Sequence, residues 1–314
     1  MHELPVSVKP LNVLLVGEES AVAQTLKRLA ASQHRIVGVL ASPDKAANAG
    51  ASVWQLAQQL GYRTWTARTV KDPAFAEVMR DEQVDVLLNV HSLYIVAPAV
   101  VAAPRLGSFN LHPGPLPEYA GLNTASWALY RGATEHGVTL HCMEPGIDTG
   151  PIVFQTRFAV AEGDTALAVY SKCIRNGLAL VERLLATDPA AWPSETQDLT
   201  RREYFSKQIP EDGCVRWNRP AREIYNFVRA CDYFPFASPW GSPRAALNGL
   251  PVGLIKARLT GTACNALSGT VRAASNEAVE VACADEWLRC ERVLWQERAV
   301  NAAAVLAQTA TVQL

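Results

Sequence analysis

Three polar side chains in the middle of this chain have the types and spacing that acyl transfer requires. Asn110 and His112 lie two residues apart in GSFNLH, and Asp148 follows in EPGIDTG. Residues two apart on a strand point to the same side, so a strand would carry Asn110 and His112 to one face. The run Pro113 to Pro117 then forces a rigid, exposed turn. Acyl transfer needs a donor where negative charge grows on the carbonyl oxygen, and the Asn110 amide is such a donor. It also needs a route by which the attacking nitrogen loses a proton. An imidazole with an ordinary pKa of about 6.5 provides one at His112. Asp148 can orient that ring, stabilise its cation or hold a relaying water. Direct attack by an amine needs no covalent intermediate, so the lack of a nucleophile motif is no obstacle.

Elements able to position these residues can be read on both sides. Asn12 to Gly17 is a short apolar run ending in glycine, followed by helical spacing of Ala21, Leu26 and Leu29. Strand-like runs recur at 35–40, 62–65, 84–90 and 107–111, with helical stretches at 51–60 and 72–81 between them. This alternation predicts βαβ units and a Rossmann-like, mostly parallel sheet. The first strand–helix turn reads GEES, without the glycine fingerprint of a dinucleotide site, which weighs against a nicotinamide cofactor. Gly137 to Met143 predicts a further strand running toward Asp148, 152–160 its partner, and 164–185 a long closing helix. Residues 187–200 carry little apolar periodicity and read as a linker. Beyond it, Ala221 to Ala230 is an amphipathic helix. Asn248-Gly249 marks a turn, and 253–259, 269–273 and 279–282 suggest strands of a small OB-like barrel. Ala302 to Ala304 suits a terminal helix. The expected division is therefore an α/β catalytic domain over 1–188, a linker over 189–203, and a mostly β C-terminal domain over 204–314.

The chain has 314 residues and a formal net charge of -1, a length that suits two domains and a balance that gives no general attraction for nucleic acid or anionic lipid. The densest basic strip, Arg201, Arg202, Lys207, Arg216, Arg219 and Arg222, is diluted by acidic residues and reads as a solvated face. The 7 cysteines are odd in number and form no CxxC pair, and no histidine stands at zinc-like spacing, so no metal is expected. No signal-peptide core and no membrane-length apolar run are present, which predicts a cytoplasmic protein with reduced thiols.

The stretch from Phe109 to Pro151 resembles the 10-formyltetrahydrofolate-dependent formyltransferases, with their N-x-H-x-S-L-L-P motif and a later D-x-G. This chain reads Asn110-Leu-His112-Pro-Gly-Pro-Leu-Pro117, then Asp148-Thr-Gly150. The likeness extends over about residues 11–185, and Arg216 to Trp240 resembles the start of the C-terminal domain of the methionyl-tRNA formyltransferase group. It implies formyl transfer from 10-formyltetrahydrofolate to an amine, with Asn110, His112 and Asp148 as catalytic residues. It also implies donor contacts, mostly through backbone, at Leu93, Tyr94, Ile95 and Val96 and at Glu144, Gly146 and Ile147.

Departures from the family pattern bear on the acceptor. Gly114 replaces the usual serine, and Ala120 stands where transferases acting on tRNA and sugar nucleotides usually have arginine. A missing arginine removes a bidentate donor for phosphate or carboxylate. The basic insertion of the tRNA enzymes has no counterpart, since 42–52 offers only Lys45 against Asp44. HPGPLPEYAGLN and RACDYFPFASPWG look closer to formylation domains of nonribosomal peptide synthetases and their standalone relatives, implying a small-molecule or carrier-protein-bound amine acceptor. A tRNA or amino-sugar acceptor, donor hydrolysis, and a non-catalytic binding module are the alternatives. His91, His136 and His141 read as structural histidines. The aromatics Tyr225, Phe227, Tyr233, Phe234, Phe236 and Trp240 are expected mostly to seal an interdomain contact, with one or two lining an acceptor pocket.

Overall fold

A computed structural model describes residues 9–43, 52–92 and 94–311. Lys45, Asp44 and Leu93 lie outside the described residues. The chain contacts divide into two compact units, Met1–Gly121 with Gly137–Phe158 and Ser171–Tyr204, and Leu122–His136 with Ala159–Tyr170 and Phe205–Leu314.

The first unit is organised by a sheet. In chain order its elements are β1 (Asn12–Gly17), α1 (Glu19–Ala30), β2 (Arg35–Ala41), α2 (Val53–Gln59), β3 (Thr64–Thr66), α3 (Phe75–Asp81), β4 (Val86–Val90), α4 (Pro98–Val101) and β5 (Gly107–His112). After a short β6 (Ala120–Gly121) and α5 (Thr124–Tyr130) come β7 (Glu135–Cys142), β8 (Ile152–Ala159) and α6 (Ala166–Ala186). The 7-stranded sheet has the order β3-β2-β1-β4-β5-β7-β8. β1, β2, β3, β4 and β5 run parallel, and β7 joins β5 antiparallel. The expected Rossmann-like, mostly parallel sheet is therefore present. β1 and β4 are buried along nearly their whole length, as strands covered on both faces must be, which explains their unbroken apolar sequences.

Two glycines set close approaches in this unit. A Cβ on Gly17 would stand 2.2 Å from the Val90 carbonyl oxygen, so only glycine lets the first strand–helix turn pass against β4. A Cβ on Gly177 would meet Leu111 at 2.8 Å, so glycine lets α6 lie directly on β5. At the first turn the Glu18 side chain accepts a hydrogen bond from Ser42. A carboxylate there opposes a dinucleotide phosphate, in keeping with the GEES reading.

The second unit holds α5, β9 (Tyr204–Phe205) from Phe205 on, and α7 (Ala221–Ala230). β10 (Arg244–Leu247), β11 (Leu250–Ala263), β12 (Val271–Ala273), β13 (Val279–Ala282), β14 (Glu286–Trp295), β15 (Arg298–Asn301) and α8 (Ala302–Thr311) complete it. Six strands form an antiparallel sheet in the order β10-β11-β14-β13-β12, with β15 also paired to β14. Register shifts along β11 and β14 curl this sheet. Ile224, Val228, Leu254, Val281, Leu288 and Val293 belong to one buried cluster, so the apolar stripe of α7 shares a core with the strands. Phe227 and Trp240 pack edge-on to Tyr130, and Trp240 also to Trp127, whereas Phe234 is 77% exposed. Among the described residues no helix is long and apolar enough to cross a membrane.

Candidate active site

The β4–β5–β7 seam carries the site. Register places Asn110 beside Asn89 of β4 and His141 of β7, and His112 beside Thr139. Asn89, His112, Thr139 and His141 are all buried. Buried polar groups persist where they are hydrogen-bonded, and here Asn89, Asn110, His141 and Asp148 are linked through the Asn110 amide, while Thr139 bonds to the turn after His112.

His112 leads into the Pro113–Pro117 turn, which is clamped by side chains from β7 and β8. Thr139 Oγ1 donates to the Gly114 carbonyl at 2.7 Å and accepts from the Leu116 amide at 3.1 Å. Gln155 Nε2 donates to the Leu116 carbonyl at 2.8 Å and to Thr139 Oγ1 at 2.9 Å. The chain then turns so that the Tyr119 carbonyl meets His112 Nε2 at 2.5 Å. A carbonyl only accepts, so Nε2 carries the proton and Nδ1 faces Asp148 Oδ2 at 3.5 Å. Gly114 explains its own departure from the serine of related motifs. A Cβ there would stand 2.7 Å from the Tyr119 oxygen and 2.9 Å from His112 Nε2, inside that hydrogen bond.

Asp148 arrives from the other side in a left-handed conformation, φ 56°. Aspartate tolerates this region better than most residues, and such a conformation persists only when its surroundings enforce it. Its Oδ2 accepts the Gly121 N–H at 2.9 Å, and Oδ1 accepts from Asn110 Nδ2 at 3.3 Å. The remaining proton on Asn110 Nδ2 is directed to His141 Nε2 at 3.1 Å, while Asn110 Oδ1 accepts from Asn89 at 2.8 Å. His141 Nδ1 donates to the Cys142 carbonyl at 2.8 Å, which leaves Nε2 as the acceptor the Asn110 amide requires.

The electrostatics follow from this geometry. Burial alone would raise the Asp148 pKa, but the facing His112 and His141 rings and the Gly121 N–H outweigh it and hold the carboxyl well below the usual range. Burial lowers the His112 pKa against the opposing pull of the Asp148 carboxylate and the Tyr119 carbonyl. The parts of the Asp148 depression due to His112 and His141 require protonated nitrogens facing it, whereas the buried His112 ring is neutral near pH 7 and His141 Nε2 is the acceptor from Asn110. The Gly121 and Asn110 donors keep Asp148 ionised with the ring in either state. The result is an anion held beside a neutral imidazole whose Nδ1 is open to a proton.

The structure thus brings Asn110, His112 and Asp148 together. It places Tyr94, Ile95 and Val96 on one loop and Glu144, Gly146 and Ile147 on another. Tyr94 and Val96 pack into the core beside Met143, so the Val96 side chain faces inward. Ile95 is 72% exposed and Ile147 is 43% exposed, with Glu144 and Gly146 also at the surface. His136 is buried, in keeping with a structural role. Asn89, His141 and Gln197 are the members that sequence reasoning missed as site residues. A lone asparagine in the apolar run VLLNV was a usable signal. His141 had the same kind of signal in GVTLHC. Gln197 had none.

An anion, an imidazole and carboxamides at a strand seam of an α/β sheet can donate to a developing oxyanion and accept a proton, the two acts that acyl transfer needs. Residues 10–184 match the formyl transferase family and residues 207–310 match the formyl transferase C-terminal domain. The chain belongs to the formyl transferase family and is a formyl-transfer enzyme. Its fold is similar to that of the N-formyltransferase from Helicobacter canadensis, solved with folinic acid and dTDP-3-aminofucose, at TM-score 0.71 and 20% identity over 90% of this chain and 99% of that one. WlaRD, a sugar 3N-formyl transferase solved with dTDP and 5-N-formyl-THF, gives TM-score 0.71 and 19% identity over 90% of this chain and 98% of that one. HypX from Aquifex aeolicus, solved with tetrahydrofolic acid, gives TM-score 0.62 and 17% identity over 96% of this chain and 47% of that one.

Proposed function

We propose that this enzyme transfers the formyl group of 10-formyltetrahydrofolate to an amine of a small molecule or of a carrier-bound aminoacyl group, using Asn110, His112 and Asp148. The observation that carries this reading is the convergence of Asn110 and His112, from one segment, on the carboxylate of Asp148, from another, whose ionisation is secured by backbone and amide donors.

The donor supplies a formyl carbon as the electrophile, and the residues present suit it. The exposed apolar side chains of Ile95 and Ile147 lie on the two loops expected to hold a flat aromatic ring, and both loops offer backbone groups. Related folds solved with folinic acid, 5-N-formyl-THF and tetrahydrofolic acid support the same donor class. Asn110 Nδ2 is the donor to the oxygen that gains charge. Both its protons are engaged at rest, so one contact must open. That contact is the one to His141 Nε2, because a neutral ring nitrogen is a weaker acceptor than a carboxylate. His112 Nδ1 would take the proton lost by the attacking nitrogen, directly or through one water, with Asp148 stabilising the imidazolium, and would return it to the donor's N10 as the bond from N10 to the formyl carbon breaks and tetrahydrofolate leaves.

The acceptor reading rests on Ala120. It is fully buried, and its amide donates to the Glu203 carbonyl at 2.9 Å, so this position offers no cation for a phosphate. The second reading, a sugar-nucleotide acceptor, is favoured by the dTDP-sugar and sugar-transferase structures of similar fold. We also propose the catalytic division at about residue 188, with the C-terminal region as a separate domain.

The test is tetrahydrofolate release from 10-formyltetrahydrofolate against hydroxyornithine, free amino acids, aminoacyl carrier protein, amino-sugar nucleotides and methionyl-tRNA. Turnover dependent on hydroxyornithine, an amino acid or the carrier-bound amine supports the first reading. Turnover only with an amino-sugar nucleotide replaces it with the second. Release at the same rate without any amine overturns both in favour of donor hydrolysis.

A further inference from the structure

The segment between α6 and β9 reads in sequence as a linker, yet one of its residues reaches the site. From Pro193 to Glu203, Gln197 is the single buried residue, and it is polar, with 7% of its surface exposed. Its Nε2 donates to the Asp148 carbonyl at 3.1 Å and to the Gly150 carbonyl at 2.6 Å. Those carbonyls flank the turn in which Asp148 takes its left-handed conformation.

The segment around Gln197 is anchored along its length. Trp192 packs edge-on against Phe109 of β5 at 5.1 Å and donates to the Leu184 carbonyl at 2.9 Å. Glu195 and Ile152 exchange both backbone hydrogen bonds, at 2.8 and 2.9 Å. Arg202 Nη2 donates to the Ile147 carbonyl at 3.0 Å, next to Asp148. Arg201 and Arg157 both grip Glu118, the residue before Tyr119, whose carbonyl accepts the hydrogen bond from His112 Nε2. Glu203 bonds through its backbone to Pro117 and Ala120. The strap therefore holds the turn after His112 and the turn before Asp148 at once.

We infer that Gln197 is a positioning residue for formyl transfer, acting by fixing the backbone of Asp148 so that its carboxylate stays on Asn110 and His112. The inference rests on the proposed role of Asp148. An amide offering two N–H groups to two carbonyls cannot be replaced by an isosteric acid. The carboxylate that Gln197→Glu introduces would repel both carbonyls, and its protonated form would restore a single donor. Loss of the amide costs little apolar contact, so its effect falls on the orientation of Asp148.

The experiment compares wild type, Gln197→Leu, Gln197→Glu and Asp148→Asn by three readouts. These are tetrahydrofolate release from 10-formyltetrahydrofolate, folinic acid binding, and ring nitrogen NMR of 15N-histidine-labelled protein with His112 assigned by its alanine variant. The expected result for Gln197→Leu is a kcat about 10-fold or more below wild type, folinic acid affinity within about 2-fold, and displaced His112 ring signals. Gln197→Glu is expected to recover rate as pH falls from 8 toward 5.5, a limb wild type lacks. Unmoved His112 signals with wild-type kcat in Gln197→Leu overturn the inference, as does a wild-type-shaped pH profile in Gln197→Glu. If Asp148→Asn itself keeps wild-type turnover, the catalytic reading fails instead. The ring signals still decide whether Gln197 orients Asp148, since they need no acceptor.

Discussion

The interior of the β4–β5–β7 seam and the interior of the curled C-terminal sheet follow opposite rules. The seam buries Asn89, His112, Thr139 and His141 and surrounds a carboxylate with donors. The described strands β10 to β15 contribute no buried polar or charged side chain to their core, which is aliphatic with cysteines such as Cys283 and Cys290. An apolar core is the cheaper solution for stability alone, since each buried polar group must be matched. The difference teaches that the seam is kept polar for chemistry, and that the C-terminal sheet is optimised to fold.

Damaging each interior in turn tests that contrast. In the C-terminal core, Leu288 is fully buried. Leu288→Ala should cost about 3 kcal/mol of stability. Urea unfolding should show this, with kcat unchanged at temperatures where the variant stays folded. In the seam, His112→Ala should lower kcat about 100-fold, equivalent to about 2.7 kcal/mol in the barrier, while folinic acid binding survives. A third test uses pH. Burial, followed by the nearby His112, lowers the His91 pKa to about 3. His91 is then neutral when folded and protonated in the unfolded chain below its ordinary 6.5. Its contribution to stability is thus complete above pH 6.5 and lost as pH falls toward 3. By pH 5 the loss should be about 2 kcal/mol in urea titrations. His91→Asn, which tolerates the left-handed backbone at this position (φ 50°), should flatten the slope. The smallest effect belongs to the surface of the C-terminal sheet. Lys256 Nζ stands 3.3 Å from Glu291, which also holds Arg258 at 2.6 Å. Lys256→Ala should change stability by less than about 0.5 kcal/mol in thermal unfolding.

What could be read from sequence varied with how local the cause was. β1, α7 and β13 were legible to the residue, because each is a complete apolar pattern bounded by its own stop signals. The Asn248-Gly249 hairpin between β10 and β11 was legible for the same reason, since both residues sit at positive φ as such turns require. The neighbouring hairpin between β14 and β15 was not. It turns at Gln296 and Glu297, also at positive φ, and neither residue type signals a turn. The charged residues of β14 further hid its alternation.

The site shows the same division. Asn110 and His112 were visible because strand spacing alone puts them on one face, and Asp148 because its glycine-rich loop follows a strand. The contact of Asn110 with His141 depends on the antiparallel register of β5 and β7, which no local spacing encodes. Gln197 depends on backbone pairing of Glu195 with Ile152, which leaves no side-chain pattern at all. Polar composition in 187–200 suggested a linker because exposure dominates composition, and one inward glutamine does not alter it.

The most direct test is tetrahydrofolate release from 10-formyltetrahydrofolate by wild type and Asp148→Asn, run beside folinic acid binding by both. The substitution keeps the shape of the side chain but removes the anion that His112 and Asn110 share. The expected result is a kcat about 100-fold or more lower in the variant, with folinic acid affinity largely kept. Wild-type turnover by Asp148→Asn would contradict it.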